Sequence, residues 1–510
     1  MANSLVTEFT SVKDIYSAAA SSEQECRYRS LVKTFFQTYG KPPQFIARAP
    51  GRVNIIGEHI DYCGFGVLPM GIEKDVIAAV YVADEALPGE TILSLANTQP
   101  DVYFKREVQF LGLDQGIVEI DAARHEWYNY CSAGFKGVLE TLGTKAPRKM
   151  LCVVDGTVPG GGGLSSSSAL VCCISIATMH AQGGKLSAEQ LALLAVASER
   201  YVGVNGGGMD QVCSMMAKKD EALFIEFSPV LSATSVPIPL ADPPISFVIA
   251  NSLVVSDKAT TAPFCYNLRV AETRIAASLM AHHLNVYDQV GVTPTLEDVV
   301  AAYSKTLEYP EIESSIDRAI FSLEVVIKAL RRGLNYHEEG YTLTQVCEAL
   351  DASEAAVTKS YLTEYPIKTD VFHLYKRAYH VLTEAQRVLQ FRHLCDNAGE
   401  KLSKNIAQSL GDLMNASQNS CKALYNCSCP ELDELVKLCR LNGALGSRLT
   451  GAGWGGCTIS LVLQPQVNDF IQALQKSYYS KSTDEEFISA VFATHPAQGA
   501  GLMKNLEHYL

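Results

Sequence analysis

Apolar and polar positions change rhythm several times along this chain. After a polar lead-in over residues 1–40, Glu23 to Tyr39 sets Tyr28, Leu31, Val32 and Phe35 on one helical face. Phe45 to Ile56 reads as a strand interrupted by a turn at Pro50-Gly51, and Lys74 to Val82 as a second, largely buried strand. Trp127 to Leu142 has helical spacing, and Lys149 to Val154 is a strand leading into Gly160-Gly-Gly-Gly163. The unbroken apolar run Ala169 to Ala177 behind those glycines predicts a buried helix, for which Ser165 to Ser168 are expected to supply N-cap oxygens. A further helix opens with a capping box at Ser187 and Gln190 and runs through Leu191, Leu194, Ala195 and Ala197 towards Tyr201. It ends in a second glycine cluster, Val202-Gly-Val-Asn-Gly-Gly-Gly-Met-Asp-Gln211.

Phe224–Phe227 and Ser246–Ala250 read as strands on either side of the Pro-rich link 236–245. Two domains meet in that link, an N-terminal α/β part over 1–240 and a C-terminal α+β part over 241–510. Beyond it helical periods dominate: Tyr266–Leu284, Ile316–Arg332, Leu343–Leu350, Asp370–Arg392, Lys401–Tyr425 and Pro430–Leu441. Residues 285–315 carry mixed signals and predict no single element. A third glycine cluster, Gly443 to Cys457, precedes a strand at Thr458–Leu463.

A length of 510 residues exceeds one ordinary core and agrees with two domains. A net charge of −13 disfavours nucleic acid or anionic membrane as a partner, so any phosphate site must be built locally. The start, Met1 to Thr10, lacks a basic region followed by an apolar core, and no apolar window of roughly 18 residues exists to span a bilayer. The fifteen cysteines are therefore expected to be reduced cytosolic thiols, and the sequons at Asn415 and Asn426 to stay unmodified in a cytoplasmic protein.

A glycine loop that opens a helix aims free N–H groups and the positive end of the dipole at one spot, which suits phosphate. The loop at 160–163 is neither a P-loop, since no Gly-Lys-Ser/Thr follows, nor a dinucleotide fingerprint, whose spacing differs. Three glycine turns far apart in sequence can surround one triphosphate. The second cluster ends at Asp210, a carboxylate where backbone can approach a substrate closely. Upstream, Arg52 is followed by Glu58, His59 and Asp61, groups that bind vicinal hydroxyls because each hydroxyl both donates and accepts. Each has a plainer reading: Arg52 in a structural ion pair, Asp210 in an Asx turn, His59 as a structural hydrogen-bonding histidine, Glu199 as a solvated carboxylate. Cys427-Ser-Cys429 lacks the second pair a zinc site needs.

Pro50-Gly-Arg-Val-Asn-Ile-Ile-Gly-Glu-His-Ile-Asp-Tyr62 resembles the galactokinase signature. Gly161-Gly-Gly-Leu-Ser-Ser-Ser167 and Leu449-Thr-Gly-Ala-Gly-Trp-Gly-Gly456 resemble the second and third motifs of the GHMP small-molecule kinases. Residues 246–255, 266–269 and 427–433 are similar to fungal galactokinases, as is the spacing from Glu199 to Asp210. The resemblance implies an α+β, two-domain GHMP-kinase fold with its active site in the inter-domain cleft. It implies ATP-dependent phosphorylation of galactose at C1, with Asp210 as base or orienting carboxylate and Arg52 beside it. By the same carry-over Arg52, Glu58, His59, Asp61, Gly207, Asp210 and Tyr266 hold the sugar. Gly161, Gly162, Gly163, Leu164, Ser165, Ser166 and Ser167 wrap the ATP phosphates, Trp127 lies near adenine, and Ser167 with Glu199 coordinates Mg²⁺.

Two other functions share these motifs. One is N-acetylgalactosamine 1-kinase, which differs in the room around the sugar's C2 substituent. The other is a galactose- and ATP-binding transcriptional inducer, without kinase activity or in addition to it, the dual function implying a regulatory protein partner; such inducers resemble the enzyme but have a shortened serine part of the phosphate loop. Here Ser165-Ser-Ser-Ser-Ala169 stands at full length.

Overall fold

The computed structural model describes residues 6–509 apart from 123, 125, 204–206, 239–242, 256–262, 335, 336, 338, 364–366 and 399–403. The expected domain boundary at 240/241 lies outside the described residues. Among those described, thirteen strands form sheets of seven, four and two.

The large sheet runs β1-β13-β2-β3-β6-β4-β5, with β2 at Phe45–Ile56, β3 at Leu68–Glu85, β6 at Arg148–Gly156, β4 at Thr91–Asn97 and β5 at Arg106–Gln109. Every residue of β2 is buried, so it has lost the in–out alternation of a half-exposed strand. Its edge is closed by β13 (Gly501–Met503), which pairs with residues 46–48 of β2 and in turn carries β1 (Thr7–Phe9). Helix α1 (Ala18–Tyr39), capped by Ser17, packs on this sheet through Tyr28, Leu31, Val32 and Phe35.

The expected turn at Pro50-Gly51 is not there. The strand continues through it with a register shift, Pro50 pairing with Asp75 and Arg52 with Gly71. Gly51 serves closeness, since a Cβ on it would lie 2.8 Å from the Leu164 carbonyl oxygen. The Pro50 carbonyl accepts a hydrogen bond from Ser214 Oγ at 2.7 Å.

Helix α2 (Trp127–Leu142) has the expected limits, and α3 (Ser166–Ala181) is buried on nearly all sides, as an all-apolar helix must be. Ser165 to Ser168 do not cap it. Ser165 stands at the N-cap in the left-handed region (φ 61°), and this turn buries its Oγ instead of aiming it at the helix's N–H groups. Helix α4 (Ala188–Glu199) keeps its capping box, and α5 (Met209–Met216) starts after Gly208 at φ 101°.

The second sheet, β10 (Gly446–Thr450), β11 (Cys457–Leu463), β9 (Ile245–Asn251) and β12 (Val491–Thr494), is antiparallel. The hairpin β7 (Glu221–Glu226) with β8 (Ser232–Pro237) completes the strands. Helices α6 (Tyr266–His283), α7 (Leu296–Ser304), α8 (Ser315–Gly333), α9 (Leu343–Ala349), α10 (Leu374–Asp396), α11 (Lys404–Ser420) and α12 (Pro430–Leu441) fill the later part. α10 begins four residues beyond its expected start because Phe372 exchanges two 2.8 Å backbone bonds with Tyr341 and stays extended. The expected 401–425 helix widens after Ser420 into a π-type turn through Cys421–Tyr425, and residues 401–403 lie outside the described set. No helix among the described residues is long and apolar enough to cross a membrane.

Candidate active site

Three segments meet where β2 emerges beside the start of α3. Arg52, on β2, is 2% exposed, and its guanidinium joins two of them. Nε and Nη2 both lie 2.7 Å from Asp210 Oδ1, and Nη1 donates to the Gly163 carbonyl at 2.7 Å. The Arg52 N–H donates to the Leu164 carbonyl at 3.2 Å. Burial works against the charge on Arg52, but Asp210 and then Glu58 outweigh it, so the guanidinium is held more firmly protonated than usual.

The third glycine run packs against the second motif backbone to backbone. A Cβ on Gly451 would sit 2.6 Å from the Gly163 carbonyl oxygen, and one on Gly456 3.0 Å from that of Gly162. Only glycine permits this approach at Gly451, whose φ is also positive (82°). The N-terminus of α3 therefore opens beneath a double layer of glycine backbone, with Ser166 and Ser167 in its first turn and no side-chain cap closing it.

Glu58 is 2% exposed and fixed from the third motif: its Oε1 accepts from Gly451 N–H at 2.9 Å and pairs with Arg448 Nη1 at 3.3 Å. Burial raises its carboxyl despite Arg448 and Arg52. Arg448, 0% exposed, also donates to the carbonyls of Asn54 and Ile55, and Thr450 exchanges two bonds with the backbone of Asn54. Asp61 lies beside Gly207, where any Cβ would collide with its carboxylate, so the glycine there makes room for Asp61. Burial, with the charge of Asp210 added, pushes the Asp61 carboxyl up to about 6.

His59 stands in a ring of aromatic side chains, Tyr62, Tyr266, Tyr425 and Trp454, with centroids 4.9–5.9 Å away. Its two ring nitrogens lie 2.9 Å from the Tyr62 hydroxyl and 2.9 Å from the Ala452 carbonyl. Tyr266, at the start of α6, packs on both His59 and Tyr62.

Of the remaining candidates, Glu199 ends α4 at 3% exposure. Cys172 of α3 is raised by burial first, with the charges of Glu199 and Asp210 adding to the shift, so both carboxylates flank this helix. The hydroxyl of Ser167 and the Glu199 carboxylate are an all-oxygen donor set, which fits a hard divalent cation. Trp127 packs edge-on against Tyr103 in the β4–β5 connection, ring centroids 5.9 Å apart.

The sequence reading missed Arg448, Thr450, Tyr62, Tyr425 and Trp454 as parts of this site. Arg448 carried a signal, the one charged side chain in the stretch Gly446 to Gly456. Tyr425 carried none, because only the turn after α11 brings it to His59.

Family models match in three places: residues 33–82 to the galactokinase galactose-binding signature, 129–218 to the GHMP kinases N terminal domain and 400–480 to the GHMP kinases C terminal region. The chain is 39% identical to a galactokinase of Dictyostelium discoideum over 97% of each chain. It is 38% identical to a galactokinase of Saccharomyces cerevisiae, over 93% of this chain and 94% of that one. Its fold matches the crystal structure of Lactococcus lactis galactokinase complexed with galactose at a TM-score of 0.66 and 22% identity, covering 93% of this chain and 99% of that one.

Proposed function

Because the chain belongs to the galactokinase family, we propose that it transfers the γ-phosphoryl group of ATP to the C1 hydroxyl of galactose, with Asp210 facing that hydroxyl. What supports the residue assignment is the single guanidinium of Arg52 tying Asp210 to the Gly163 carbonyl, Nε and Nη2 at 2.7 Å on one side and Nη1 at 2.7 Å on the other. Asp210 accepts the hydrogen bond of the C1 hydroxyl and takes its proton as the C1 oxygen bonds to phosphorus and ADP departs. Arg52 keeps the carboxylate oriented and adds positive charge where the phosphoryl group passes. Glu58, Asp61, Gly207 and Tyr266 line the sugar side, with His59 as a wall, since protein groups engage both its nitrogens.

Gly161 to Ser167 receive the phosphates of ATP, and Trp127 stands on the adenine side. Ser167 and Glu199 would hold Mg²⁺, which when bound neutralises charge on the phosphates. The site falls between the part of the chain before about residue 240 and the part after it. Bonds from Glu58 to Gly451, Asn54 to Thr450 and His59 to Ala452, which cross that division, support the cleft reading.

An ADP-release assay on a panel of hexoses with Mg-ATP is expected to rank galactose first by kcat/KM. A preference for N-acetylgalactosamine would change the substrate. Tight galactose and ATP binding with no turnover would make the chain an inducer-like binding protein, a reading that the full-length serine loop and the intact Arg52–Asp210 pair speak against.

A further inference from the structure

His59 has φ 63°, a left-handed backbone that a residue with a side chain keeps only where its surroundings over-determine it. Counting protons shows how they do so. The Ala452 carbonyl, 2.9 Å from Nε2, can only accept, so Nε2 carries a hydrogen. Tyr62 OH lies 2.9 Å from Nδ1, and the Tyr425 hydroxyl lies 2.6 Å from that of Tyr62. If Nδ1 is bare, Tyr62 donates to it and Tyr62's oxygen accepts from Tyr425, so every hydrogen in the series meets an acceptor. If Nδ1 also carries a hydrogen, the series reverses, and the Tyr425 O–H, on a side chain 0% exposed, has no acceptor among the described residues. Leaving a buried donor unmet is the costlier arrangement.

We infer that Tyr425, Tyr62 and His59 form a one-way series of hydrogen bonds that holds His59 as its neutral Nε2–H tautomer and pins the 57–63 loop to Ala452 of the third glycine run. Tyr62 and Tyr425 are then positioning residues for the sugar site. The far end of the series is itself fixed. Arg269 Nε donates to the Tyr425 carbonyl at 2.8 Å, Arg377 donates to that of Leu424, and Glu272 holds both arginines, at 3.0 and 2.9 Å. Trp454 Nε1 donates to the neighbouring Asn426 carbonyl at 3.0 Å. The hydroxyl of Tyr425 is thus set by a buried ionic knot apart from the Arg52 fork and the glycine loop at 160–163.

The kinetic part of the test rests on the proposed galactose phosphorylation, whereas the tautomer does not. Histidine-selective 15N labelling at pH 7 should give His59 one pyridine-like nitrogen, Nδ1, and one pyrrole-like nitrogen, Nε2. Tyr62→Phe removes the donor to Nδ1 while the Ala452 carbonyl still requires a hydrogen on Nε2, so the Nε2–H tautomer should persist, the ring should take its second proton at a higher pH, and the galactose KM should rise about 3–10-fold, the size of one hydrogen bond. Tyr425→Phe leaves Tyr62 able to donate, so the Nε2–H tautomer should persist with a smaller rise in KM. A doubly protonated or Nδ1–H ring in the unaltered protein would overturn the inference. So would a Tyr62→Phe variant whose His59 ring takes its second proton at an unchanged pH and whose galactose KM is unchanged. A folded protein that does not turn over galactose would sink the functional proposal, and the 15N spectra would still decide this one.

Discussion

Arg52 works through a planar fork, and that geometry is what substitution should test. A lysine ammonium is a compact point charge that does not span the two edges of the fork, so Arg52→Lys should release either Asp210 or the Gly163 carbonyl and lower kcat/KM by about tenfold or more in steady-state assays. Asp210→Asn keeps size and removes charge. It should preserve galactose and ATP binding by calorimetry while kcat falls about 10²–10⁴-fold. Asp61 gives a pH signature, because its carboxyl is pushed up to about 6 and accepts hydroxyl hydrogens through both oxygens only when ionised. kcat/KM for galactose should therefore fall as pH drops through 6, and Asp61→Asn should lose that limb. Folding raises this group above its unfolded value of 3.8, so its contribution to stability is complete below 3.8 and gone above about 6. The same variant should thus melt higher at pH 8. Arg52, Glu58 and Asp61 were legible because one short motif holds them, and Asp210 because it ends a glycine cluster. Thr450 and Arg448 reach the site only because β10 and β2, strands of two different sheets, meet through side-chain bonds.

At the scale of elements, α10 supports the sugar-signature loop from behind. Glu384 accepts from Gly57 N–H at 3.0 Å and Ser417 Oγ at 2.6 Å, and His380 Nε2 lies 3.1 Å from the Glu58 carbonyl. Burial opposes the charge on Glu384, but Arg387 and then Arg448 hold it down at about 2, whereas burial pushes His380 to about 4. Both shifts lie below the unfolded values, so both contributions are present at neutral pH. That of His380 is lost as pH falls from 6.5 through 4, and that of Glu384 from 4.5 through 2. Thermal unfolding should show Tm declining across these windows. Glu384→Gln should flatten the lower one while lowering stability at pH 7 by about 3–5 kcal/mol, the cost of breaking a buried pair. Helices α2 and α12 were readable to the residue because their periodicity agrees with their packing, α2 stopping before Gly143 and α12 starting at Pro430. The capping box Thr295–Asp298 that opens α7 was present in the unreadable 285–315 stretch, but with Asp in place of the Glu or Gln such a box usually carries. The unbroken course of β2 through Pro50 was hidden because the register shift belongs to its partnership with β3.

The whole molecule is held closed by contacts that ignore chain order. Arg48 donates to the Gly499 carbonyl at 3.0 Å across 451 positions, and β13 lies between β1 and β2. Strands of three residues leave no periodic trace, so this closure was illegible in sequence, whereas the meeting of the glycine runs could be guessed from composition alone. A chain stopped before residue 500 loses the buried Leu502, Met503 and Leu506. At about 2–5 kcal/mol per large buried side chain, the loss rivals the stability of an ordinary domain. Such a chain should be insoluble or lack near-ultraviolet dichroism, and normal melting would contradict this account. During synthesis the same arrangement imposes a wait. The flank of β2 that presents Arg48 stays bare on the ribosome until Gly501 to Met503 emerge, so the nascent protein carries an open strand edge through the synthesis of every element between them.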